Sequence, residues 1–227
     1  MSNWYASAAG ARAPRPVVVV LLMVVLLCAG VQPAAAQVER ESPTAANEHP
    51  AASVGKFLAG GALGLAAHES GHLLFDGVFN ADVGIKRVSF HGLPFFAITH
   101  ESGLPPWQEF VIDSAGFWVQ HAGSEILLSK RPQLRREHAP LLKGVLAFNV
   151  LASVAYSGAA FARTGPDERD TRGMADAIGW KEPAIGALVL TPAILDAIRY
   201  FKPDAKWAAW GSRGMKVGLV LLVVRVR

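Results

Sequence analysis

The stretch FLAGGALGLAAHESGHLLFDGV, Phe57 to Val78, decides the fold. At about 1.5 Å per residue it can cross a hydrocarbon core roughly 30 Å thick. Apart from Asp76 near its end, it is interrupted by one polar motif, His68-Glu69-Ser70-Gly71-His72. Histidines four apart share a helical face, about 6 Å from each other, so both imidazoles can bind one ion. Glu69 is rotated off that face, where it can take a proton from a water molecule. Three ionisable groups within an apolar run of membrane length are costly unless partnered. A metal ion supplies the partner, and the pattern is that of zinc hydrolases. His68 and His72 are therefore expected to bind Zn2+, with Glu69 as general base.

Composition supports the membrane setting. Of 227 residues, 52% are hydrophobic and only 18% charged, whereas soluble domains carry about a quarter of their residues as charges. Disorder, collagen and a disulfide scaffold are excluded. The single cysteine, Cys28, permits neither an intrachain disulfide nor a cysteine-rich metal cluster. Net charge is a modest +4, with lysines and arginines gathered in short loops between apolar runs. That distribution suits a protein oriented in a lipid bilayer and argues against nucleic acid as a partner.

Outward from the motif, the chain divides into three parts. Residues 1–36 read as an export signal: Arg12 and Arg15 precede the apolar run Val17 to Ala29, and Ala34-Ala35-Ala36 forms a small-residue cleavage site. An uncleaved first membrane helix is the alternative. Residues 37–55 form a polar tether, and 56–227 a membrane-embedded domain. Within it, Gly144 to Ala162 and Ala184 to Phe201 are further candidate spans. Phe110 to Leu128 is interrupted by Asp113, Gln120, His121 and Glu125, so it is expected to cross only in part or to be shielded. Gly84 to His100 reads as a β-hairpin, and the apolar tail Val217 to Val224 is too short to cross. The expected fold is mainly α: a polytopic membrane helical bundle with a small β-hairpin after the metal-binding helix.

Charge asymmetry sets an expected path. The loop Lys130 to Arg136 is strongly basic, Thr164 to Glu182 is acid-rich, and the segment after Phe201 is basic again. With basic loops in the cytoplasm and the tether outside, Phe57 to Val78 and Ala184 to Phe201 run inward in parallel, adjacent to each other. Water then reaches the metal from the cytoplasmic side.

At these residues the chain resembles the site-2 protease family of intramembrane zinc metalloproteases. AAHESGHLLFDGVFNADVGIKRVSFHG is similar to that family's HExGH helix and following hairpin. Ala115-Gly116-Phe117-Trp118-Val119-Gln120 is similar to its Ala-Gly-Pro-x-x-Asn element, with Phe117 for proline and Gln120 for asparagine. Pro192-Ala-Ile-Leu195-Asp196-Ala-Ile-Arg199 is similar to its Leu-Asp-Gly-Gly-Arg helix, with Ala197 and Ile198 for the two glycines. The resemblance implies zinc held by His68, His72 and Asp196, with Glu69 as general base. It further implies a multi-pass protein of the bacterial inner membrane that cleaves membrane-protein or peptide substrates.

The residues alone leave the third ligand open. Catalytic zinc takes three protein ligands and keeps one open position. Asp196 is the first choice, because parallel spans would bring it near the depth of the histidines. Glu125, with His121 one turn before it, is the second, as in soluble zincins that take a glutamate from a later helix. Asp196 can instead pair with Arg199, three residues on. Asp167, Glu168, Asp170 and Asp176 read as a solvated acidic loop, one member of which could drop toward the zinc. His91 and His100 are expected to be loop residues, His49 and His138 lie in polar connectors, and Asn149 is expected to hydrogen-bond to a neighbouring helix. Tyr200, Trp207 and Trp210 suggest an interfacial aromatic belt.

The expected activity is peptide hydrolysis in the membrane, with an unwound substrate strand paired on the hairpin edge. A non-hydrolytic metal-binding or transport protein, or an inactive protease-like interaction module, are the alternatives. Glu69 distinguishes hydrolysis from transport, which has no need of a carboxylate at that offset.

Overall fold

The computed structural model describes residues 49–90, 93–100 and 103–225. The export signal, tether residues 37–48 and His91 lie outside the described residues. The chain is mainly helical, in the order α1 (Pro50–Phe79), β1 (Gly84–Phe90), β2 (Leu93–Thr99), α2 (Pro106–Lys130), α3 (Pro140–Ala162), α4 (Asp170–Ile178), α5 (Glu182–Phe201) and α6 (Lys206–Arg225). Proline opens α1, α2, α3 and α5 within their first two positions, where its missing N–H costs nothing and its φ is already helical. Helix α1 ends at Asn80, whose left-handed backbone lets its N–H close on the Asp76 and Gly77 carbonyls. The helix begins six residues earlier than Lys56, so 50–55, expected in the tether, form its first turns instead.

The hairpin pairs antiparallel from Gly84 opposite Thr99 to Phe90 opposite Leu93, and β2 touches the end of α1. Helix α1 packs against both α2 and α3, α5 packs on α3, and α6 packs on α5. Helix α2 returns antiparallel along α1: His72 meets Ile112, and Phe79 meets Trp107 with ring centroids 5.1 Å apart. Helix α3 runs parallel to α1. Gly144 abuts the Phe57 carbonyl, and Gly64 abuts the Phe148 ring. These small residues let the helices approach until backbone touches side chain. Helix α5 is antiparallel to α3, with Gly186 against Ala160.

This order corrects the expected path. Helix α2 has 25 residues, about 37 Å at 1.5 Å per residue, and it lies along α1 rather than stopping part-way. Its polar side chains do not prevent this, because they face other helices: Gln120, His121, Ser124 and Glu125 are all buried. One added pass reverses every later helix. Helices α1 and α5 are therefore antiparallel, not parallel, and they are not neighbours.

The main core joins Phe75 and Phe79 of α1, Phe110, Phe117 and Trp118 of α2, Met174 of α4, Ile185 and Val189 of α5, and Leu219 and Val223 of α6. The apolar tail is thus the end of a 20-residue helix packed on this core. A smaller cluster, Leu128, Leu134 and Leu146, closes the opposite end with Tyr200. Helices α3 and α5 are long and apolar enough to cross a membrane. Their outward faces carry Leu151, Val154, Phe161, Ile194 and Phe201, all exposed, and α1 adds Leu58, Leu63, Leu73 and Leu74. Among the described residues α3 and α5 are the two helices that qualify, so α1, expected as a span, is not one of them.

Candidate metal centre

His68 and His72 sit one turn apart on the inward face of α1, buried at 2% and 6% exposure. Helix α2 comes unusually close there. A side chain at Gly71 would meet the Ala115 carbonyl oxygen at 2.7 Å, and one at Gly116 would lie 2.6 Å from His68 Nδ1. The two glycines therefore let the Ala115-Gly116 turn of α2 form the floor beneath the His68 ring. Phe117 and Tyr156 flank that ring, with centroids 5.5 and 5.8 Å from it. His72 Nδ1 donates to the Ile112 carbonyl at 2.8 Å, which orients the ring and points Nε2 into the site.

The third group is Asp170, the first residue of α4. Its Oδ2 lies 3.1 Å from His68 Nε2 and 3.4 Å from His72 Nε2, and the two Nε2 atoms are 3.2 Å apart. Among the described residues, these three form the one group of histidine, cysteine and carboxylate side chains close enough to hold a metal ion. The distances test the fit. Ligands about 2.1 Å from a tetrahedral zinc are about 3.4 Å from one another, so the triangle matches one face of the coordination tetrahedron. Two imidazole nitrogens and a carboxylate oxygen converging on one point can be bridged by a metal ion, or held together by an imidazole proton donated to Asp170. Zinc fits this N/O donor set. Burial would raise the Asp170 carboxyl, but the imidazoles of His72 and His68 overcome that effect and hold it below the ordinary carboxylate range. Tyr156 interacts electrostatically with the same carboxylate.

Glu69 is partly buried beside the group and interacts electrostatically with His68, His72 and Asp170. It is not a corner of the triangle, as its offset on the helix requires.

The structure places both expected third ligands elsewhere. Glu125 lies nine residues beyond Gly116 on α2, about 13 Å further along the helix axis. Its carboxylate accepts from Arg199 at 2.6 Å, Arg213 at 2.8 Å and Lys216 at 3.2 Å. Asp196 Oδ1 accepts from Lys216 at 3.0 Å, Ser212 at 2.6 Å and Arg199 at 3.1 Å. Both carboxylates are 1% exposed. The correction has a physical reason: α5 is not beside α1, and a buried carboxylate saturated by cations has no need of a metal. His121, expected one turn from a ligand, is buried without a hydrogen-bond partner at Nε2.

Other side chains find their places. Asn149 donates to the Gln120 carbonyl and Ser124 Oγ on α2, at 3.0 and 3.1 Å. His100 bonds Glu109 at 2.6 Å and approaches Asp76 at 3.6 Å, outside the metal centre. Trp207 and Trp210 are exposed at one end of the bundle. Sequence reasoning passed over Asp170 because four carboxylates share its connector. The available signal was an acidic residue opening a short amphipathic segment, DTRGMADAI, that ends at Gly179 in a left-handed conformation.

Compared with known proteins, the chain matches no family model, no curated protein and no solved structure.

Proposed function

We propose that the chain is a zinc metallopeptidase of the HExxH type, embedded in a membrane by several passes, that hydrolyses peptide bonds of membrane-associated substrates. The observation that carries this reading is the triangle of His68 Nε2, His72 Nε2 and Asp170 Oδ2, with edges of 3.1, 3.2 and 3.4 Å, beside a carboxylate outside it. Bound zinc would polarise a scissile carbonyl and make water acidic enough to lose a proton near neutral pH.

The chain's own residues do the rest. Glu69 accepts the proton of the attacking water and returns it to the leaving amine. The His72–Ile112 hydrogen bond holds one imidazole in its ligating orientation, and the Phe117 and Tyr156 rings confine the other. The hairpin stands at the same end of the bundle as Asp170, tied to that connector by Lys86 and Glu168, and its edge can pair with an extended substrate segment.

The membrane reading rests on α3 and α5, on the exposed apolar faces described above and on charge. Lys130, Arg131, Arg135 and Arg136 lie at one end of the bundle with Lys202 and Lys206, whereas Asp167, Glu168 and Asp170 lie at the other. With the basic end in the cytoplasm of a bacterial inner membrane, the metal centre opens on the opposite face. This reverses the side of water entry expected from the parallel arrangement and puts the start of α1, expected outside after an exported tether, at the cytoplasmic end.

The test is metal content and cleavage by the detergent-purified chain. Wild type is expected to carry about one zinc, lost on His68→Ala or His72→Ala. Glu69→Gln is expected to keep zinc while hydrolysis of a membrane peptide falls about 10²- to 10⁴-fold. Undiminished cleavage by Glu69→Gln, or equal metal in all variants, overturns the reading.

A further inference from the structure

The third metal-binding side chain comes from a connector, and something must hold it still. Asp170 stands between Arg169 and Thr171, and both of these reach the same partner. Arg169 donates from Nε and Nη2 to the two oxygens of Glu182, at 2.6 and 2.5 Å, and the Thr171 hydroxyl donates to Glu182 Oε1 at 2.9 Å. Glu182 is the first residue of α5, and the Arg169 and Glu182 side chains are only 9% and 11% exposed. Arg169 also donates to the Pro166 carbonyl at 2.8 Å, so the turn before Asp170 is fixed as well. A forked guanidinium–carboxylate pair defines both distance and orientation. Lys86–Glu168 also ties this connector, but at 60% exposure of the lysine it contributes little.

We propose that Glu182 is the positioning residue of the metal centre: by gripping Arg169 and Thr171 it sets Asp170 at ligand distance from His68 and His72. This rests on the zinc reading of the site. Metal affinity then depends on a carboxylate that does not touch the metal, and α5, which supplies no ligand, is coupled to the centre through one side chain.

The experiment measures zinc affinity of the full chain in detergent by competition with a chromophoric chelator. Glu182→Ala is expected to bind zinc about 10- to 100-fold more weakly than wild type, with unchanged helical circular dichroism and one zinc per chain at saturation. The exchange Arg169→Glu with Glu182→Arg is expected to recover at least half of that loss on a logarithmic scale, which a merely destabilised variant would not do. Thr171→Val is expected to weaken zinc binding less than Glu182→Ala. Wild-type affinity in Glu182→Ala, or a loss that the exchanged pair does not reduce, overturns the proposal. If Glu182→Ala does not fold, Glu182→Gln, which keeps the shape but loses the ion pair, is measured under the same criteria. Failure of the zinc reading is seen separately, as a wild type that binds no zinc or binds it equally well with His68→Ala.

Discussion

Gly116→Ala probes the close approach of α2 to the His68 ring. The added methyl would stand 2.6 Å from both Nδ1 and Nε2 of His68, where ordinary contact begins at 3.4 Å. The deficit, 3.4 minus 2.6, is about 0.8 Å, and a close-packed interior has no room to absorb it without moving the ring or α2. The ring cannot retreat freely, because Phe117 and Tyr156 stand against it. Overpacking of this kind costs about 1–3 kcal/mol. Metal ligands tolerate about 0.2 Å of displacement, so a shift of this size also breaks the triangle with His72 and Asp170. Two readouts are expected to move together: the urea or thermal unfolding midpoint falls, and zinc affinity drops about 10-fold or more. The assay is chelator competition on detergent-purified protein, with Gly61→Ala as the control, since nothing lies within 4 Å of a side chain there. A Gly116→Ala protein with wild-type stability and zinc affinity would refute the placement of α2 against His68.

Three further outcomes are expected. Asp170→Ala should abolish tight zinc binding, whereas Asp196→Ala and Glu125→Ala should keep it but lose about 3–5 kcal/mol of stability, because the buried Lys216 and Arg199 are left to share one carboxylate instead of two; equilibrium dialysis and unfolding curves on the three variants give the ranking, and zinc loss in Asp196→Ala alone would reinstate it as ligand. In a background lacking Cys28, a cysteine at Gln133 should be shielded from an impermeant thiol reagent applied outside intact cells and one at Lys181 should be labelled; the opposite pattern would put the metal centre on the cytoplasmic side. Added zinc should raise the unfolding midpoint of the apo wild type in proportion to the logarithm of its concentration, and the same titration of His72→Ala should be flat.

How much of this was legible in the residues follows from the range of the interactions. Helices with apolar runs and proline starts, and the hairpin Gly84 to Thr99, are local consequences of sequence, and the structure forms them with ends moved by a few residues. The His68, Glu69, His72 spacing is equally local. Pairing between helices is not. The course of α2 turns on where Gln120, His121, Ser124 and Glu125 point; Ser124 and Glu125 look costly until Asn149, Arg199 and Lys216 arrive from elsewhere in the chain, while the Gln120 amide and His121 Nε2 are buried without a hydrogen-bond partner. Misjudging that one helix reversed the direction of the two later spans, Gly144 to Ala162 and Ala184 to Phe201, and made Asp196 look close to the histidines. Asp170 was illegible for a different reason. Its role depends on Arg169, Thr171 and Glu182 meeting across a turn, and no spacing rule distinguishes it from Asp167 or Asp176.

The cluster around Glu125 has a consequence for how the chain is made. Its carboxylate meets Arg199, Arg213 and Lys216 across 74, 88 and 91 residues, so a growing chain presents an acidic helix long before any counter-charge exists. The proposed metal centre, by contrast, is complete in sequence once Asp170 has emerged. Ligands are thus assembled early and the bundle is locked late. A chain cut after α5 would possess every metal-binding residue yet leave Asp196 without Ser212 and Lys216, and Glu125 with one cation instead of three. Helix α6 acts as the bolt of a door whose mechanism lies at the other end.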